Sequence, residues 1–227
     1  MGLDFSQTVF AHWTWYLDGA WKTIMITMGA VGIGIFLGFI IGMGRIAKHR
    51  IFRWPADLYV EIIRGTPMLL QLYILYFGFP QVYTILTGAA LRPDPFITGM
   101  IGLGINSGAY VAEIVRAGIQ SIKKGQMEAA RSLGLTHGQA MWYVILPQAF
   151  RVVLPPLGNE FIVLLKDSSL VSTFGYVELM RTARIIGTKY YAPFEPLIAV
   201  AVIYLVLTFT ISRGVAYMER RLTPKHD

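Results

Sequence analysis

The sequence predicts an all-α integral membrane protein with five transmembrane helices and one helical segment on the cytoplasmic side. Three observations lead there. Of the 227 residues, 55% are hydrophobic and only 15% charged, a balance that excludes an ordinary soluble domain of this length. The apolar residues gather into long runs, and several of the connections between them carry clustered Arg and Lys, the pattern of spans joined by cytoplasmic loops. One stretch, 118–147, interrupts this pattern as the largest polar segment inside the chain. A formal net charge of +7 would suit nucleic acid only on a soluble fold with a basic face, so it reports topology and no nucleic-acid partner is expected. Cysteine is absent, which removes disulfides and thiolate metal sites. Residues 1–20 contain no Lys or Arg, and the first apolar run is too long for a signal-peptide core, so no cleavable signal is expected.

Each element can be justified in turn. Trp13, Trp15 and Tyr16 precede the first span, 20–43, and Trp21 opens it, as aromatic anchors do at a membrane interface. Within it Ala30, Gly34, Gly38 and Gly42 recur every four residues, a small-residue ridge suited to close packing by another helix of the same bundle. Arg45, Lys48, Arg50 and Arg53 then place the next loop in the cytoplasm and the amino terminus outside. Pro55 suits the start of a second span, 56–79, which carries Glu61, Arg64 and Gln71. Glu61 and Arg64, one turn apart, are expected to pair with each other.

Asp94 and Pro95 have the chemistry of an N-cap and first helical residue for the third span, 95–117. Asn106, Glu113 and Arg116 share one face of it, which must look into the bundle. Lys123 and Lys124 return the chain to the cytoplasm. The fourth span, 148–171, is expected to be the least regular, because Pro155, Pro156 and Gly158 fall in its first half. The connection 172–193 lies outside although it holds Arg181, Arg184 and Lys189, a departure that long or structured outer loops tolerate. A last span, 194–212, ends at Arg213, with the carboxyl terminus in the cytoplasm. Six spans would require 81–91 to cross as well, and that stretch is too short and too polar.

The polar segment reads EAARSLGLTHGQAMWYVILP over 128–147. Glu128 and Arg131 suit the two ends of a short helix, 126–133, that Gly134 closes in the left-handed conformation. Thr136 and Gln139 have capping-box spacing, so a second helix follows and runs until Pro147 interrupts it. An amphipathic pair lying among lipid headgroups would present bulky aromatics opposite Lys and Arg. The first helix offers Met127, Ala130 and Leu133 instead, a surface another protein can approach closely.

This segment resembles the EAA loop of the membrane subunits of ATP-binding-cassette (ABC) importers. Glu128, Ala129, Ala130, Gly134, Leu146 and Pro147 fall on that pattern, and Val144 stands where isoleucine is usual. The segments RGTP at Arg64 to Pro67, NSGAY at Asn106 to Tyr110 and KDSSL at Lys166 to Leu170 are similar to the polar amino acid uptake permeases, and the likeness covers 21–222. It implies a single permease domain over 1–227 with the 118–147 segment as the EAA loop and a cytoplasmic coupling helix, as in type I ABC importers. It also implies three kinds of protein partner: ABC ATPase subunits that bind the ATP, a second permease chain, identical or paralogous, and an extracytoplasmic substrate-binding protein. The expected place is the bacterial cytoplasmic (inner) membrane.

No phosphate-binding loop, zinc-ligand cluster or catalytic triad spacing occurs, so the chain is expected to hydrolyse no ATP and to need no cofactor of its own. Glu160 and Asp167 are two turns apart, on one helical face with a rise of roughly 10 Å between them. Two carboxylates on a membrane helix need cations as structural partners or line the substrate path, where they would suit a basic amino acid. With Asn106 in NSGAY and Ser168 in KDSSL, they are the candidate path residues. A channel or passive carrier would share such a wet path but would have no use for the capped helix pair at 128–147.

Overall fold

The computed structural model describes residues 4–222, and every regular element among them is helical. Helix α1, Trp13–Ile46, is continuous and extends well beyond the apolar run. Trp13, Trp15 and Trp21 point outward, whereas Tyr16 is buried and donates a hydrogen bond to the Thr8 carbonyl of the preceding turn. The predicted ridge is the seam of the bundle: Ala30, Gly34, Gly38 and Gly42 are all buried against helix α4, Pro95–Gln120. The approach is close enough that a Cβ at Gly38 would lie 2.4 Å from the Val111 Cβ, so glycine is required there by contact. Asp94 caps α4 as expected, accepting a hydrogen bond from the Ile97 amide.

The helix expected over 56–79 is broken. Helix α2 runs from Arg50 to Gly65 with Pro55 inside it, and α3, Met68–Thr87, begins afresh. The cause is Pro67, which has no N–H and drives Thr66 into the extended region, at φ −121° and ψ 147°. Carbonyls freed by the break are taken up by Gln71, whose two Nε2 hydrogens are shared among Ile63 O at 2.7 Å, Thr66 O at 3.1 Å and the Thr66 hydroxyl at 2.8 Å. The chain is also helical through most of the expected outer loop 81–91, closing only at Gly88, in the left-handed conformation.

After α4 comes α5, Lys124–Ser132, and then a long helix, α6, His137–Phe174. Pro147 does not interrupt the second of these. The turn before it, Met141–Ile145, widens to a π turn in which the Leu146 amide reaches back to the Met141 carbonyl, and the helix continues through the proline. The same device precedes Pro80 in α3, where Ile74–Gly78 is a π turn. The irregularity expected over 148–171 is also milder than predicted. Pro155 and Pro156 sit inside unbroken α-helix as far as Asp167, and only Ser168–Phe174 tightens to a 3-10 turn.

The connection 172–193 is structured, one of the two alternatives that its basic residues left open. It contains helix α7, Leu179–Tyr190, which packs with Tyr16 and Val200 in one cluster. Its N-cap is Glu178, fully buried, whose carboxylate accepts from the Met180 and Arg181 amides and from the Tyr204 hydroxyl. Helix α8, Phe194–Leu222, is longer than the expected 194–212 and presses Val215 onto Gly158 of α6. Among the described residues, four helical stretches are long and apolar enough to cross a membrane: Phe5–Ile46, Met68–Thr87, His137–Phe174 and Phe194–Arg221. Helix α4 is diluted by glycines, Asn106, Ser107 and Glu113, but much of it is buried among the others.

Candidate functional site: the helical knob and the polar seam

The knob is set by backbone geometry. Gly134 has φ +89°, a conformation that L side chains rarely adopt, and the turn around it closes α5 by two reverse bonds. These run from the Gly134 amide to Arg131 O at 3.1 Å and from the Leu135 amide to Ala130 O at 3.2 Å. Two residues later the capping box is complete, with Gln139 N donating to Thr136 Oγ1 at 3.3 Å and Thr136 N to Gln139 Oε1 at 2.8 Å. Helix, left-handed elbow and helix follow one another without a spare residue. Glu128 falls beyond the first turn, because α5 begins at Lys124, so its expected role at the positive end of the helix dipole is lost.

One side of the knob is anchored and the other is bare. Ala130 is buried, Met127 packs beneath it with Met141, and Gln148 Nε2 reaches Gln126 Oε1 at 3.3 Å. Glu128, Ala129 and Arg131 face outward, and Leu133 is 84% exposed at the elbow. The six residues that carry the EAA pattern therefore divide. Glu128, Ala129 and Gly134 form the outer surface, Ala130 is its anchor, and Leu146 with Pro147 lies on α6 beyond the π turn, away from the tip.

The path candidates divide as well. Glu160 is half-buried on α6 and accepts a hydrogen bond from Ser107 Oγ of α4 at 2.8 Å. Asp167 is half-buried at the end of the α-helical part of α6. No cation among the described residues stands within ion-pair distance of either carboxylate, so the structural alternative of a salt bridge is not realised among them. Asn106 is buried and its Nδ2 donates to Gln71 Oε1 at 2.9 Å, which locks the amide that repairs the α2–α3 break. Ser168 is fully buried and donates to Leu165 O at 2.7 Å. Asn106 is thus engaged with the Gln71 side chain and Ser168 with a backbone carbonyl, while Glu160 and Asp167 keep acceptor capacity.

A third constellation went largely unread in the sequence. Arg64 does not pair with Glu61; its Nη1 lies 3.8 Å from Glu113 Oε2, and its guanidinium sits over the Tyr110 ring at 5.2 Å. Glu113 also takes Arg116 and Arg45, and Arg45 Nε in turn reaches Asp57 Oδ1 at 2.8 Å. Three helices, α1, α2 and α4, are tied at one end of the bundle by this network. The face shared by Glu113 and Arg116 was legible. Asp57 and Arg45 were not, because their meeting depends on the loop between α1 and α2 and not on any spacing within a helix.

Comparison with known proteins agrees with this geometry. Residues 34–224 match the family model of the binding-protein-dependent transport system inner membrane component. The probable glutamine ABC transporter permease protein GlnM of Bacillus subtilis (strain 168) is 42% identical over 214 residues, covering 94% of this chain and 96% of that protein. The arginine transport system permease protein ArtQ of the same organism is 40% identical over 222 residues, covering 98% of each. A solved amino acid ABC transporter with histidines superposes with a TM-score of 0.89 at 44% identity, covering 97% of this chain and 100% of that one. An inward-facing methionine ABC transporter shares the fold, with a TM-score of 0.77 at 20% identity, covering 94% of this chain and 99% of that one. A polar seam inside an apolar bundle, an outward knob built on a left-handed glycine, and a family match across most of the length lead to one conclusion: the chain belongs to the binding-protein-dependent transport system inner membrane components, the permease subunits of ABC importers.

Proposed function

We propose that this chain forms one half of the transmembrane pathway of an importer that moves a polar or basic amino acid across the cytoplasmic membrane, driven by ATP hydrolysis in a separate subunit. The observation that carries this reading is the knob, whose capped backbone presents a nearly fully exposed Leu133 beside Glu128 and Ala129. A large apolar side chain held out on a rigid elbow is a docking feature for protein. In this reading α5 is the coupling helix, the ATPase binds there, and five helical segments span the bilayer, with α2 and α3 together making the broken second crossing. The amino terminus lies outside and the carboxyl terminus in the cytoplasm, a second permease chain completes the pathway, and a substrate-binding protein delivers from outside. The chain itself needs no cofactor.

The substrate class is supported from two sides. Relatives of closely matching length carry glutamine, arginine and amino acid transport in their names. Glu160 and Asp167 leave carboxylate oxygens without a cation in the seam, which suits an ammonium and a second positive group. The test is uptake by the assembled importer in proteoliposomes, with amino acids of each charge offered in turn. Glu160→Gln and Asp167→Asn, made separately, should each lower uptake at least tenfold while assembly and basal ATP hydrolysis persist. Loss of the assembled complex in both would make the carboxylates structural, and a chain that purifies with no ATPase and conducts passively would overturn the coupled reading.

A further inference from the structure

Two adjoining hollows at the knob end of the bundle belong to neither the knob surface nor the polar seam. The first, about 440 Å³, lies between α1, α4 and α6, and every residue lining it is apolar, from Ile35 and Phe39 through Val111 and Val115 to Phe150 and Leu157. Trp142, 65% exposed, also lines it. The second, about 580 Å³, opens where α1 ends and α5 begins, and it shares Ile119 with the first. Its floor is apolar, with Met127, Met141 and Ile145, but it is also lined by Arg45, Lys48, Arg53, Lys123, Lys124 and His137, with no carboxylate among its lining residues. Arg45 and Arg53 are matched by Asp57. Lys48, Lys123 and Lys124 form no ion pair among the described residues.

We propose that the two hollows together hold one anionic phospholipid, with an acyl chain in the apolar hollow and its phosphate beneath Lys48, Lys123 and Lys124. From Val111 to Ile119 the first hollow follows α4 for about 12 Å, most of one leaflet of the hydrocarbon core. The change from apolar wall to cationic rim happens at Ile119, as it does along a lipid at its glycerol backbone. Basic pockets between membrane helices select acidic headgroups, and an exposed tryptophan beside such a pocket suits the interface. A zwitterionic lipid would fill the hollow but bring an amine among three lysines. An acidic protein surface would satisfy the lysines and leave the apolar hollow unfilled. Lys124 is the first residue of α5, so the bound phosphate also braces the start of the knob.

The test uses the full chain purified in lipid-free detergent and titrated with phosphatidylglycerol, phosphatidylcholine or glycerol phosphate, reading the thermal midpoint and, by native mass spectrometry, the lipid retained. Phosphatidylglycerol should raise the midpoint and be retained, and the other two should do neither. Lys48→Gln, Lys123→Gln and Lys124→Gln combined should weaken retention on the order of a hundredfold, since each cation near an anionic headgroup contributes about a factor of five. Ile35→Trp, placed at a partly exposed wall of the apolar hollow, should also lose retained phosphatidylglycerol without touching a charge. Equal effects of phosphatidylglycerol and phosphatidylcholine would overturn the proposal. So would a full response to glycerol phosphate alone, or a triple variant that retains phosphatidylglycerol normally but no longer holds an ATPase subunit.

Discussion

Replacing Gly134 isolates backbone geometry from packing. Its φ of +89° is costly for any residue with a Cβ, yet a Cβ built there meets no atom within 4 Å. The whole penalty is therefore conformational, about 1 to 2 kcal/mol for an L residue in the left-handed region, and greatest for a β-branched one. That range lowers the population of the closed elbow by about 5- to 30-fold. Asparagine tolerates left-handed backbone, so the cost should rise in the order Gly134→Asn, Gly134→Ala, Gly134→Val. Because the site is exposed and beyond the end of α5, the loss should appear in the elbow and not in global unfolding. In the importer purified through a tag on this chain, substrate-stimulated ATP hydrolysis should fall in that order while the thermal midpoint moves by no more than a degree or two. Equal loss in all three variants, or normal stimulation in Gly134→Val, would show that the left-handed elbow is not what the ATPase reads.

Other outcomes test other parts of the structure. Gly38→Leu must push into Val111 across the α1–α4 seam and should cost about 1 to 3 kcal/mol, whereas Gly32→Leu, which meets nothing within 4 Å, should leave the thermal midpoint in detergent unchanged. Glu113→Gln removes the negative charge shared by Arg45, Arg64 and Arg116 and turns one acceptor oxygen into a donor, and should destabilise by about 1 to 3 kcal/mol; adding Arg45→Gln should cost much less than a second such loss, which a double-mutant cycle measures. Burial pushes the Glu178 carboxyl above the usual range, against the opposing effect of the hydrogen bonds from Met180, Arg181 and Tyr204. A raised folded value means that its stabilising share is fully present below the ordinary carboxylate pKa and is lost as pH rises through the raised one. Glu178→Gln should therefore flatten the fall of the thermal midpoint with rising pH above about 4.3, the unfolded value; an unchanged slope would remove Glu178 as its source. Single cysteines at Thr84, Thr136 and Thr188, all exposed in a chain without native cysteine, should react with an impermeant thiol reagent from outside at the first and third positions only.

How much of this was legible depended on how local its cause was. The Thr136–Gln139 capping box, the Asp94 cap, the left-handed Gly134 and the four-residue ridge on α1 are decided within a turn or a face, and each was readable from spacing. Proline was read less well because its effect depends on what precedes it. Pro67 breaks the chain, whereas Pro147 and Pro80 are carried through by a π turn, an option that a proline in isolation does not announce. Pairing between helices was the least legible. Arg64 passes over Glu61, its neighbour on the same helix, for Glu113 on another, and Asn106 turns out to serve Gln71. Such choices are made by tertiary packing, which spacing along one helix does not contain.

The continuity of α6 has a mechanical consequence. Its first turn belongs to the knob and its far part carries Glu160 and Asp167, so both ends of the proposed function ride on a single rod. From Thr136 to Asp167 the rod is roughly 46 Å long, and a tilt of only about 5° at the docked end would sweep the other by about 4 Å. A lever of that length needs no chain of intermediate contacts to carry displacement across the bilayer. Pro155 and Pro156, near its middle, lack the amide hydrogens that stiffen the rest, so the rod is least braced between the knob and the two carboxylates.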